Sequence, residues 1–155
     1  MGEREQKLVA AGYPFDRGPK EGPIIDLIST LGDTLYASGQ VPYDAGVLTS
    51  KGKVPSQVSV EDATKAAALC AANILRAIWL KLGSLDRIER VVRVTGYVNA
   101  DPDFTDCHLV INGATNLLKE VFGVEAGRHA RTALGMGQLP LGTSVEVEAI
   151  FQLKK

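Results

Sequence analysis

"SVEVEAIFQL", residues 144–153, alternates almost without a break. Val145, Val147, Ala149, Phe151 and Leu153 form one set; Glu146, Glu148, Ile150 and Gln152 form the other. A period of two is the mark of a strand with one buried face. A strand this apolar on one side needs a layer to pack against, and two helical patterns upstream supply it. Ser59 opens the first, with Glu61 and Asp62 at the positive end of the helix dipole. Ala67, Cys70, Ala71, Ile74, Leu75, Ile78 and Leu82 recur at spacings of three and four, and Gly83 ends the run. The second runs from Asp101-Pro102-Asp103 to about Phe122. Its inward set is Leu109, Val110, Ala114, Leu117, Leu118 and Val121, and Gly123 follows as a stop.

The remaining elements fall into place around these three. Residues 24–31 and 34–41 read as two strands joined by a turn at Gly32-Asp33. Residues 42–57 form a loop with room for a short ribbon around "GVLTSKGKV". "IERVVRVTGYV", 88–98, is a β-branched strand. The order ββ-α-β-α-ββ predicts an α+β sandwich of two layers, one sheet with two helices on one face. The 155 residues fit one domain, 1–155, with residues 1–22 as an N-terminal arm, part short helix and part loop.

Bulk composition narrows the function classes. Charged residues make up 23% of the chain and the net charge is −1, without the basic excess of a nucleic-acid or membrane-surface binder. No apolar run approaches the ~20 residues of a membrane span. The charged N-terminus lacks a signal-peptide core, and Gln6 stands where a myristoylation signal has Ser or Thr. Two cysteines make no disulfide framework. A cytoplasmic location is the expectation.

"RHARTALGMGQLP", 128–140, is the strand that carries chemistry. One face reads Thr132, Leu134, Met136, Gln138; the other reads Arg131, Ala133, Gly135, Gly137. With Leu134 and Met136 taken as the core set, Arg131 shares the non-helical face with Glu146 and Glu148. Glycines in a strand mark close approach of something else, and a second copy of the chain is the simplest candidate. A guanidinium in such a cleft fits a carboxylate through two parallel hydrogen bonds. An arginine opposite a glutamate also reads as a plain salt bridge.

The other chemical side chains read as structural. His129 shares the Arg131 face if the strand has begun there, but one histidine without a partner reads as structural. Cys107-His108 is not a metal spacing, and Cys70 lies on an apolar helix face. "GMGQLPLG" fails the phosphate-loop test, because Pro140 takes the third glycine's place and a strand follows. No metal site and no cofactor is expected.

Four motifs occur in order: "ASGQVP" (37–42), "VINGATNLLKEVFG" (110–123), "GRHARTALGMGQLP" (127–140) and "VEVEAI" (145–150). Together they resemble the RidA/YjgF family, in a longer-chain branch, over roughly residues 24–153. The resemblance implies a chorismate-mutase-like fold and a homotrimer with three inter-subunit clefts. It implies cofactor-free hydrolysis of enamine/imine intermediates of the 2-aminoacrylate type to 2-oxo acids and ammonia. By resemblance, Arg131 holds the substrate carboxylate, Glu146 orients or activates the water, and Ser38 and Asn112 line the pocket. Ala133 lines it where catalytic members carry Cys, and Ile24 stands where many have the Tyr of "GPY". Tyr36 and Tyr43 are candidate substitutes. The expected partner is a small carboxylate.

Two function classes follow: an imine deaminase, or a non-catalytic binder or sensor of small carboxylates such as 2-oxo acids. The family also carries endoribonuclease and translation-inhibitor labels. Net charge −1 and the lack of an aromatic-basic stripe lend these no support.

Overall fold

The computed structural model describes residues 1–155. Its main sheet is built from β1 (Ile28–Leu31), β2 (Thr34–Gln40), β5 (Ile88–Asn99), β6 (Ala130–Met136) and β7 (Val145–Leu153). The strands lie in the order β1-β2-β7-β5-β6. Helices α2 (Val60–Leu82) and α3 (Cys107–Gly127) cover one face. The fold is the two-layer α+β sandwich of the chorismate-mutase-like class. A separate ribbon, β3 (Tyr43–Asp44) with β4 (Val47–Leu48), sits earlier in the loop than expected. The N-terminal arm begins with a helix, α1 (Glu3–Ala10). Its Glu5 is buried and accepts hydrogen bonds from the Leu85 amide (2.6 Å) and Ser84 Oγ (3.0 Å).

Local chemistry accounts for most boundaries. Ser59 caps α2 by accepting from the Asp62 amide, and Gly83 closes it in the left-handed conformation. α2 is long and apolar enough to cross a membrane by length and composition, but its Ala67–Ile78 stripe lies in the core. Gly32, at φ +61°, makes the β1–β2 turn. β1 begins at Ile28, four residues late, with Ile24 and Ile25 exposed before it. α3 also starts late. The Asp101 carboxylate accepts from the Ser56 amide and hydroxyl, both at 2.9 Å, so it ties down the preceding loop instead of capping the helix. Leu109, expected to point inward, is exposed. Gly123 takes φ +83° and breaks the helix, and a further turn runs to Gly127.

β7 behaves as its alternation demands. Val145, Val147, Ala149 and Phe151 are buried beneath the helices. β6 does not. It is an edge strand, parallel to β5 because α3 crosses over between them. Arg131 pairs with buried Val94, Ala133 with Gly96 and Gly135 with buried Val98. The bare face is therefore the helix-facing one. A Cβ at Gly135 would lie 3.3 Å from both Cys107 Sγ and Ala100 Cβ, and one at Gly96 would collide with Ile111. Gly96 and Gly135 record the close approach of α3 and of Ala100 in the same chain, whereas a Cβ at Gly137 would meet nothing within 4 Å. Leu134 points away and is exposed.

Candidate functional site

The reversal of β6 moves Arg131 across the sheet, away from Glu146. The two do not share a face. β6 and β7 flank β5 on opposite sides, so they also stand roughly 10 Å apart in the plane of the sheet. Neither the salt bridge nor a joint site with Glu146 exists within the chain.

Arg131 lies instead in a cleft between the first residues of β6 and one face of α3. His108, Asn112 and Thr115, at spacings of four and three, present that face. Nη1 donates to Asn112 Oδ1 (2.9 Å) and Thr115 Oγ1 (3.1 Å). Nη2 donates to the His108 carbonyl (3.3 Å), and Nε makes no hydrogen bond within the chain. All three acceptors are neutral, and none of the chain's ion pairs includes Arg131. Burial lowers its pKa from the ordinary guanidinium value, with no carboxylate acting against the shift. The result is a partly buried cation held chiefly through Nη1, with Nε and the second Nη2 proton without a partner in the chain. Ala133 follows on the same face and packs against the core.

His129 lies beside this cluster and has the partner that the sequence did not reveal. Its Nε2 is 3.1 Å from Thr115 Oγ1 and its Nδ1 is 2.7 Å from the Gly127 carbonyl. Burial lowers its pKa most; the Gly127 hydrogen bond pulls it back up in part, and the Arg131 and then the Lys119 charge add smaller downward pushes.

Glu146 and Ser38 belong to the open face. The Glu146 carboxylate packs over Gly39, where a Cβ would collide with it. It has no cationic or hydrogen-bonding partner. Burial, and secondarily the Glu148 charge, raise its pKa above the ordinary carboxylate value. Tyr97 Oη donates to Glu148 (3.1 Å), which keeps that neighbour engaged. Ser38 Oγ donates to the Asp26 carbonyl (2.7 Å). Ser38, Tyr36, Arg93, Thr95, Glu148 and Ile150 help line a shallow cavity of about 250 Å³ on the open face. Tyr36 thus shares a surface with Ser38. Ile24 is solvent-exposed and Tyr43 lies in the ribbon.

The structure brings Arg131, Asn112 and Ala133 together and holds Ser38 and Glu146 apart from them. Sequence reasoning missed Thr115 and Gly39. The spacing 108-112-115 on one helix face was the available signal for the first; the second carried none beyond its place in "SGQ". No three His, Cys, Asp or Glu side chains cluster as a metal site would require.

The arrangement is a two-layer sandwich that holds an arginine with only neutral partners in a cleft at its edge. The chain belongs to the YjgF family: the model described as "YjgF/chorismate mutase-like, putative endoribonuclease" matches residues 5–152. Protein TCP17 of Trypanosoma cruzi is 42% identical over 124 residues, 79% of this chain and 76% of that protein. The crystal structure of Atu1372 from Agrobacterium tumefaciens, described as of unknown function, is 40% identical. It aligns over 97% of this chain and 92% of its own with a TM-score of 0.88. A Shewanella oneidensis protein described as a "putative endoribonuclease" is 30% identical and aligns over 98% and 100% with a TM-score of 0.91.

Proposed function

We propose that the protein hydrolyses small 2-imino acids, tautomers of 2-aminoacrylate-type enamines, to 2-oxo acids and ammonia. The observation that carries this reading is Arg131: a partly buried guanidinium with no counter-ion, pinned by neutral acceptors, with Nε and one Nη2 proton unpartnered. A planar carboxylate completes it. Binding there places the imine carbon within reach of a water. Water adds to the C=N carbon, its proton passes to a base, the nitrogen is protonated, and ammonia leaves as the carbonyl forms. No redox partner is needed.

Glu146 is the proposed base. Burial raises its pKa, which makes it a stronger base than an exposed carboxylate. Because Arg131 and Glu146 lie on opposite faces of one sheet, the reading requires a second copy. Arg131, Asn112 and Ala133 of one protomer would face Glu146 and Ser38 of its neighbour in a trimer cleft. The edge position of β6 and the exposed Tyr36 and Leu134 on the open face are consistent with such burial.

The test measures ammonia release from imines generated in situ by an amino-acid oxidase. Wild type accelerates it; Arg131→Ala and Glu146→Gln alone do not. Random reassembly of the two inactive variants restores roughly a quarter of wild-type activity, because one cleft in four then holds both native residues. No recovery would place both groups' work inside one protomer. Tight 2-oxo acid binding without any acceleration would make the protein a carboxylate sensor.

A further inference from the structure

Threonines inside helices ordinarily turn the hydroxyl back onto their own helix, as Thr64 does by donating to the Val60 carbonyl (2.7 Å). Thr115 does not. Its hydroxyl is held between Arg131 Nη1 and His129 Nε2, each at 3.1 Å. The direction of these bonds can be derived. The Gly127 carbonyl only accepts, so His129 Nδ1 carries the proton. Burial and the facing cations, Arg131 of β6 and Lys119 of α3, keep the ring neutral at pH 7, so Nε2 bears a lone pair. Thr115 must then donate to Nε2, and its oxygen is left to accept from Arg131. Every donor in the chain Arg131, Thr115, His129, Gly127 points the same way.

The backbone fixes the end of this chain. Gly123 breaks α3 at positive φ, and the extra turn folds Gly127 onto the helix. A Cβ on Gly127 would lie 2.7 Å from Lys119 Cα. The carbonyl that anchors His129 thus sits on rigid structure.

We propose that His129, acting through Thr115, is a positioning residue that fixes the Arg131 guanidinium so that its Nε–Nη2 edge faces outward for a planar carboxylate. The inference rests on Arg131 being the carboxylate clamp. An unpinned arginine loses rotamer freedom when it binds; here that ordering is complete in the folded chain. Asn112 holds one side of Nη1 and the Thr115–His129 pair the other.

The probe is 2-oxobutyrate, with affinity measured by calorimetry and KM and kcat followed in parallel. Thr115→Val weakens binding about tenfold and Thr115→Ser about twofold or less. His129→Phe weakens binding several-fold, and His129→Gln, whose amide oxygen can take the place of Nε2, recovers much of the loss. These losses appear in KM and leave kcat within about twofold, because the clamp holds substrate and transition state alike. Nitrogen NMR at neutral pH finds His129 protonated on Nδ1 only. Wild-type affinity in both Thr115→Val and His129→Phe, with Arg131→Ala unable to bind, would overturn the relay and leave the clamp standing. Wild-type affinity in Arg131→Ala would remove the clamp itself. Thr115→Ser and His129→Gln keep the comparison valid if the bulkier changes unfold the chain, and an Nε2-protonated ring would also refute the relay.

Discussion

Two arginines in this molecule have their pKa lowered by burial, and they are used in opposite ways. Arg76, on α2, is buried among partners that consume it. Its Nε donates to the Pro14 carbonyl (2.9 Å) and its Nη1 to Asn73 Oδ1 (2.8 Å). Its Nη2 lies 3.7 Å from Asp44, and its guanidinium lies over the Tyr13 ring. Asn73 in turn donates to the carbonyls of Val41 and Tyr43. The group ties the N-terminal arm, the ribbon and α2 into one unit. Burial lowers the pKa of Arg76 and Asp44 pulls it back up. Arg131 has the same downward pull and nothing opposing it. A buried cation with its counter-charge inside the chain serves the fold. One whose neighbours are all neutral has its counter-charge missing from the chain, which is the basis of the proposed carboxylate clamp.

Substitution separates the two roles. Arg131→Ala lowers kcat/KM for an imino acid about 10³-fold, ~4 kcal/mol of lost charge pairing, while the melting temperature stays near wild type. Arg131→Lys recovers little, because an ammonium cannot make the two-pronged contact. Arg76→Met should do the reverse. It leaves Asp44 and the Pro14 carbonyl without this partner and costs about 2–4 kcal/mol in denaturant unfolding, with 2-oxobutyrate affinity retained. Loss of affinity in Arg76→Met at full folding would dissolve the contrast.

Glu146 adds a smaller effect with two signs. Glu146→Gln lowers kcat about 10²-fold with KM little changed, as expected for a base. The same change raises stability slightly at pH 7. The folded-state pKa of Glu146 lies above its unfolded value, so its stabilising contribution is present in acid and lost as pH rises through the folded pKa. The neutral amide escapes that loss and the repulsion from Glu148. A lower melting temperature at pH 7 would mean Glu146 has a partner in the assembled protein other than substrate.

What the sequence could reveal divides along the same lines. α2 was legible because Ser59, the three-and-four spacing and Gly83 all act locally. β7 was legible because both its faces are strongly typed. β6 was misread because size was taken for burial. On an edge strand packed by a crossover helix, the small residues are the ones that face the helix, and Leu134 and Met136 face outward. The family motifs pointed to Arg131 and Asn112 but could not say that they touch. That contact depends on the parallel β5–β6 pairing, which alternation does not encode. Thr115 and His129 gave no signal singly, since each gains meaning only from the other.

The smallest expected effect tests the electrostatics of the clamp most directly. His129 is held below its ordinary pKa by burial and by two cations, of which Arg131 is the larger influence. Arg131→Gln removes that cation, so the His129 pKa rises in an NMR titration. Lys119→Gln raises it less, and Arg76→Met leaves it unmoved. The sign carries over to stability. A histidine whose folded pKa is depressed favours the folded state above its unfolded value near 6.5, and this contribution is lost as pH falls toward the folded pKa. Wild type therefore loses a small part of its stability across that window, and Arg131→Gln loses less. A His129 pKa that stays put or falls in Arg131→Gln would mean the ring does not sense the guanidinium. Arg131 would then lack the low-dielectric setting that distinguishes an open clamp from a solvated surface charge.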